Sequence, residues 1–321
     1  VYFLNVVTSP LRPYKFQYMK KIYLLVVLMS VTLVNCQKKV FTSDGDFKYK
    51  AETVVDGLEI AWGMLFLPDG SILIAEQEGK MILFKDGKKT DVKNVPEVYY
   101  NNQGGLLDLE LHPDYKNNGW IYFSFSGNLG DEGEGGNTTI MRAKLKGNEL
   151  VDKELIYKAT PNTKRGHHFG SRIEFDNDGY LFFSIGDRGN RDENPQDITR
   201  DGGKIYRLMD DGSTPVDNPF VTDSTAKAAI YSYGHRNPQG MAMDPLSGAI
   251  WVHEHGPQGG DEINIIQPGK NYGWPTITYG KNYDDSIITD DTDLPGMEQP
   301  LHYWVPSIAP SGMAFVTSDV Y

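Results

Sequence analysis

The sequence predicts an all-β fold, a β-propeller, and three observations carry that prediction. An apolar run, a turn of Pro, Asn, Asp or Gly, and a second apolar run together form one motif that occurs four times in the same register. Further short apolar segments follow the copies, enough for about four strands per unit. The chain also carries 34 glycines and 18 prolines and has no long stretch of helical periodicity, which marks strands joined by many turns. A sandwich would supply short strands too, but gives no reason for one motif to return in register.

The first copy spans residues 62–75 and turns at Pro68-Asp69-Gly70. The second spans 105–115, turns near Pro113 and continues through 120–124. The third spans 171–183 around Asn177-Asp178-Gly179, and the fourth 241–252 around Asp244-Pro245-Leu246-Ser247-Gly248. A fifth begins at 312–316 and is cut off. The turns recur at irregular intervals of roughly 45 to 70 residues. Segments 80–84 and 204–208 read as outer strands, while the Gly-, Asn- and Asp-rich inserts 128–138 and 279–298 read as surface loops.

With 321 residues, 39% of them hydrophobic and 12% aromatic, the chain can bury a large core in one big all-β domain or two ordinary ones. Its net charge of −12 argues against a nucleic-acid partner, which would require a basic face. The single cysteine, Cys36, excludes an internal disulfide. It follows Met19-Lys20-Lys21 and the apolar run 22–29, which together read as a secretory signal too short for a membrane span. Leu33-Val34-Asn35-Cys36 resembles a bacterial lipoprotein cleavage site, with Asn35 where Gly, Ala or Ser is usual; an ordinary signal with an incidental Cys is the alternative. Residues 1–18 thus read as upstream read-through, 19–36 as a lipoprotein-type signal, 37–46 as a polar tether and 47–321 as the propeller. The expected product is an exported, periplasmic or cell-surface protein anchored to a membrane through Cys36.

In a propeller the loops that enter successive inner strands converge on the axis. Those loops here are Asn101-Asn102-Gln103-Gly104-Gly105, Gly166-His167-His168-Phe169-Gly170 and the segment holding Arg236-Asn237. A neutral imidazole in the second can accept an alcohol proton near pH 7. Asp187, following Ser184-Ile185-Gly186 at the end of the third hairpin, returns to the same face, where its carboxylate can orient that imidazole; the alternative is an ordinary turn Asp. The fourth hairpin brings Arg236 and Asn237 back to Gly256 and Pro257. A guanidinium and an amide facing carbonyls and carboxylates suit an anionic ligand bridged to a hard cation.

Four strings add a family resemblance: Tyr233-Gly234-His235-Arg236-Asn237-Pro238-Gln239-Gly240, Glu254-His255-Gly256-Pro257, Asp261-Glu262-Ile263-Asn264 and Asn271-Tyr272-Gly273-Trp274-Pro275. In this order they resemble the PQQ-dependent sugar dehydrogenases of the soluble aldose and glucose type, with similarity from about Leu58 onward. The resemblance implies a six-bladed propeller, of which this chain would hold four blades and the start of a fifth, and so a truncated chain lacking the Lys and the Arg pair of the last blades. It implies that His168, in its H-x-x-G/S-R context, is the general base, with an acidic partner at Asp187. His167 stands where the relatives carry Asn or Asp. It further implies that Gln103, His168, Arg236 and Asn237 contact PQQ, with Arg236 suited to a bidentate carboxylate pair. One Ca²⁺ would sit on the main-chain carbonyls of Gly256 and Pro257, and a second at Glu262 and Tyr272. The implied reaction oxidises an aldose sugar to its lactone and passes electrons to an unidentified acceptor. A Ca²⁺-dependent propeller lactonase or hydrolase and a non-catalytic binding propeller are the alternatives.

Overall fold

Side chains of a strand alternate between the two faces of its sheet, so a strand covered on both faces reads as an unbroken apolar run. The recurring runs of this chain become such strands. The computed structural model describes residues 52–128 and 133–317, together with strands β1 (Val40–Thr42) and β2 (Lys48–Lys50). These two pair antiparallel within the smaller of two compact units; the larger unit runs from Gly57 to Ser318. β1 falls inside the expected tether, where Val40-Phe41-Thr42 are good strand formers. The expected read-through, the signal and Cys36 lie outside the described residues.

The larger unit holds four four-stranded antiparallel sheets, each a meander in chain order. The first contains β3 (Ala61–Phe66), β4 (Ile72–Glu76), β5 (Lys80–Lys85) and β6 (Lys88–Asp91). The second contains β7 (Leu106–Leu111), β8 (Trp120–Gly127), β9 (Asn137–Lys146) and β10 (Glu149–Lys158), with a four-residue helix, α1 (Tyr115–Asn118), between β7 and β8. The third contains β11 (Ile173–Phe175), β12 (Leu181–Ile185), β13 (Lys204–Leu208) and β14 (Ile230–Tyr233). The fourth contains β15 (Pro238–Met243), β16 (Ile250–Glu254), β17 (Asp261–Ile265) and β18 (His302–Trp304). First strands meet first strands, β3 with β7, β7 with β11 and β11 with β15, as the inner strands of neighbouring propeller blades do. Gly63 permits one such approach, because a Cβ there would lie 2.5 Å from the Leu107 carbonyl oxygen.

The cores lie between blades. Leu73, Ala75 and Met81 of the first blade pack with Leu106, Ile121 and Phe123 of the second. Within β12, Leu181, Phe183 and Ile185 point towards the second blade, whereas Phe182 joins Met241 and Val252 of the fourth. Burying each of these large side chains stabilises the fold by about 1.5–3 kcal/mol. Two expectations change. Insert 128–138 is not wholly a surface loop: Asn137 and Thr138 are buried at the start of β9, paired across to Gly127 and Ser126. Residues 312–316, expected to begin a fifth blade, form no strand among the described residues, although Phe315 packs edge-on to Trp251 of β16 with ring centroids 5.4 Å apart.

Arg172, just before β11, joins all four blades. Its guanidinium donates to Asp108 Oδ1 of the second blade at 3.0 Å and to the Gln239 carbonyl of the fourth at 2.6 Å. It also lies 4.2 Å from the ring centroid of Trp62 in the first. Asp108 spends its other oxygen on the Ile173 N–H, at 3.0 Å. Replacing Arg172 by Met would strand a largely buried carboxylate. We expect a loss of about 3–5 kcal/mol in equilibrium denaturant unfolding, against a markedly smaller loss for Asp108→Asn. Equal, small losses would show that the pair is dispensable.

Candidate active site

The loop entering β11 is built on left-handed backbone. His168 has φ 59°, Gly170 φ 62° and Ser171 φ 76°, and outside glycine that conformation persists only where surroundings hold it. The surroundings here are hydrogen bonds from the second and fourth blades. The His168 N–H donates to Gln103 Oε1 at 2.8 Å, from the loop entering β7. The Gly170 N–H donates to Asn237 Oδ1 at 3.2 Å, from the loop entering β15. Gly186, at the exit of β12, lets the chain pass close by, as a Cβ there would lie 2.5 Å from the His168 carbonyl oxygen.

That exit delivers Asp187. Its Oδ1 lies 2.6 Å from His168 Nδ1 and accepts the Gly189 N–H at 2.7 Å; its Oδ2 accepts the indole N–H of Trp274 at 2.9 Å. Asp187 is 1% exposed. Burial pushes its pKa up, but the bond and charge of His168, the Arg236 charge and the Gly189 N–H outweigh this and hold the carboxyl below its usual value. An ionised carboxylate can only accept, so His168 carries its proton on Nδ1 and presents Nε2 as a base. The His168 side chain keeps 14% of its surface exposed, enough to be reached.

Arg236 faces this pair from the fourth blade. Its own N–H donates to Glu254 Oε2 at 2.5 Å and its guanidinium to the His255 carbonyl at 2.8 Å, with the Trp274 ring centroid 5.4 Å away. Its Nε is buried and has no partner among the described residues. Glu254 also holds His235, whose Nδ1 lies 2.8 Å from Oε1.

The expected metal-binding residues adjoin Arg236. Asp261 Oδ1 accepts the Gly256 N–H at 2.8 Å, and Oδ2 accepts the N–H groups of Ile308 and Ala309 at 2.7 Å each, so one buried carboxylate sets the Gly256-Pro257 turn. A cavity of about 10 Å³ lies among Arg236, Glu254, Gly256, Glu262, Tyr272 and Trp274, room for a single small occupant. Burial and the neighbouring Glu254 charge push the Glu262 carboxyl up to about 8. The Tyr272 hydroxyl is engaged elsewhere, donating to the Ile265 carbonyl at 2.7 Å and accepting the Gln267 N–H at 3.0 Å, which leaves its main-chain carbonyl as the oxygen it can offer. Among the described residues no three His, Cys, Asp or Glu side chains gather as a metal centre.

The structure therefore brings Gln103, His168, Asp187, Arg236 and Asn237 together, and sets Gly256, Pro257, Glu262 and Tyr272 beside them. Gln103 and Asn237 spend their side-chain oxygens on the His168 loop itself. Sequence reasoning passed over Trp274, which holds Asp187, and Glu254 and Asp261, which set the Arg236 and Gly256 loops. All three stand inside the strings that carried the resemblance, so the signal was present without a role attached. His167, the other imidazole of the loop, packs edge-on to His168 with ring centroids 4.7 Å apart.

Known proteins are similar to this chain in sequence and in fold. Residues 58–321 match the family described as glucose / sorbosone dehydrogenase. Aldose sugar dehydrogenase YliI of Escherichia coli K12 is 43% identical over 277 residues, covering 84% of this chain and 74% of its own. The crystal structure of the soluble aldose sugar dehydrogenase from Escherichia coli in the apo-form superposes with a TM-score of 0.78 at 42% identity, over 82% of this chain and 77% of that one. The PQQ-bound form of aldose sugar dehydrogenase from Streptomyces coelicolor superposes with a TM-score of 0.69 at 31% identity, over 82% and 74%. Fold and sequence agree over the stretch that builds the site, and the chain belongs to the glucose / sorbosone dehydrogenase family.

Proposed function

We propose that the protein is a PQQ- and Ca²⁺-dependent aldose dehydrogenase that oxidises a sugar at its anomeric carbon to the lactone and hands the electrons to a separate acceptor. The observation that carries the reading is a half-buried, carboxylate-held imidazole facing an arginine whose Nε has no partner among the described residues. A buried donor left unpaired costs about 1–3 kcal/mol, and an anionic carboxylate satisfies it. The relatives above are named for aldose sugars, and one was solved with PQQ bound.

When bound, the quinone supplies the hydride acceptor and Ca²⁺ the Lewis acid that polarises it. Arg236 would hold a carboxylate of the cofactor, with Trp274 offering a flat face beside it. The carbonyls of Gly256 and Pro257, on a turn set by Asp261, would hold the cation. The raised pKa of Glu262 supports a second cation there, because a positive charge would offset the repulsion from Glu254. His168 Nε2 takes the proton of the anomeric hydroxyl, and Asp187 keeps Nδ1 protonated and stabilises the imidazolium that results. Gln103 fixes the backbone from which the imidazole projects. Export and anchoring through Cys36 complete the proposal, resting on the sequence alone.

The central test is His168→Asn, chosen because asparagine tolerates the left-handed backbone at this position. PQQ titration should show binding retained through Arg236, while turnover of aldose with an artificial dye drops by roughly two to four orders of magnitude, the usual worth of a positioned base. Near-normal turnover with tight PQQ would remove His168 from the reaction. Chelation should abolish dye reduction, and Ca²⁺ with PQQ should restore it; full activity with metal verified absent would point to another chemistry. Cys36→Ala should release the protein from membrane fractions, and unchanged partitioning would rule out the anchor.

A further inference from the structure

Arg188 follows Asp187 and is 1% exposed, the largest of the fully buried side chains among the described residues. A buried cation normally meets a carboxylate. This guanidinium instead meets oxygens on both sides of the His168 loop. Nε donates to Asn137 Oδ1 at 3.1 Å, one terminal nitrogen to the His167 carbonyl, and the other to the Arg165 carbonyl at 2.8 Å and the Gly136 carbonyl at 3.5 Å. Its plane carbon lies 3.4 Å from the ring centroid of Phe169. Residues 165, 167 and 169 are thus all held by one side chain, and His168 stands among them at φ 59°. The lacing is reciprocal, since Arg165 donates in turn to the Gly189 carbonyl.

Building on the proposed dehydrogenase reading, we infer that Arg188 is a positioning residue for the proton transfer: it fixes the loop backbone so that the His168 imidazole meets Asp187. Two adjacent residues then share one task. Asp187 grips the ring and Arg188 grips the main chain that carries it. Burial lowers the Arg188 pKa to about 9, so the group is still a cation at neutral pH and its bonds to carbonyls keep their charge-assisted strength. A lysine could not do the same, as a single nitrogen cannot span four oxygens arranged around a planar fork.

Two variants and two readouts test this. Arg188→Met keeps the stem and deletes every donor; Arg188→Lys keeps the charge and one nitrogen. In PQQ- and Ca²⁺-reconstituted protein, kcat should fall by roughly 10- to 100-fold in Arg188→Met while KM and the PQQ titration midpoint stay within about 3-fold, with Arg188→Lys in between. The second readout needs neither quinone nor sugar: the low-field proton resonance of His168 Nδ1, assigned by its absence from His168→Asn, should broaden or vanish in Arg188→Met. If the wild type oxidises no aldose yet the resonance still depends on Arg188, the reaction assignment fails and the positioning role stands. The role is overturned if Arg188→Met keeps both kcat and the resonance. It is equally overturned if KM and PQQ affinity collapse together with kcat, or if neither variant folds, since Arg188 is then a stability element.

Discussion

The contact between Arg172 and Asp108 organises the rest of the molecule, because it is where four sheets that share no main-chain ladder are tied to one another. Apolar packing between blades is strong but permissive, since flat sheet faces can slide. A bidentate carboxylate answering a guanidinium and an inner-strand N–H allows one geometry. With the inner strands fixed in relative height, the loops that enter them arrive at one level, and the site is assembled from those loops.

Within the site, buried carboxylates do the corresponding job for loops. Asp187 accepts from an imidazole, an indole and a main-chain N–H belonging to three separate segments. Glu254 gathers His235, the Arg236 N–H and Asn264. Asp261 gathers Gly256, Ser307, Ile308 and Ala309. Loops have few apolar contacts of their own, and a desolvated carboxylate left unpaired is costly enough to enforce the pairing. Such organisers also set the electrostatics: burial and the Glu254 charge together push the Glu262 carboxyl up.

Some of the site was legible because hairpins are local. Ser184-Ile185-Gly186 reads as the end of a returning strand that carries Asp187 to the face of His168, and in the structure Asp187 Oδ1 lies 2.6 Å from His168 Nδ1. The fourth hairpin likewise brought Asn237 to His255, whose N–H it accepts at 3.0 Å. Trp274 was not legible as a partner of Asp187, because it stands 87 residues away on a loop of another blade. Arg188 was not legible either, since nothing in its neighbourhood reveals that it will be buried among carbonyls. The insert 128–138 read as a loop for the opposite reason: its composition is that of a turn, yet Asn137 and Thr138 are drawn into β9 by pairing with β8.

The sequence by itself determined the fold class, the four blades, the strand that lies innermost in each and the loops that converge. All of these follow from turn chemistry and from apolar alternation with a period of two, which act over a dozen residues or fewer. The tertiary structure alone decided which donors fill the oxygens of Asp187, that Arg236 keeps a buried Nε without a partner among the described residues, and that Arg188 bonds to the carbonyls of the His168 loop. Those outcomes depend on how blades seat against one another, and that seating is set by contacts far apart in the chain, where no local pattern records which side chain will meet which.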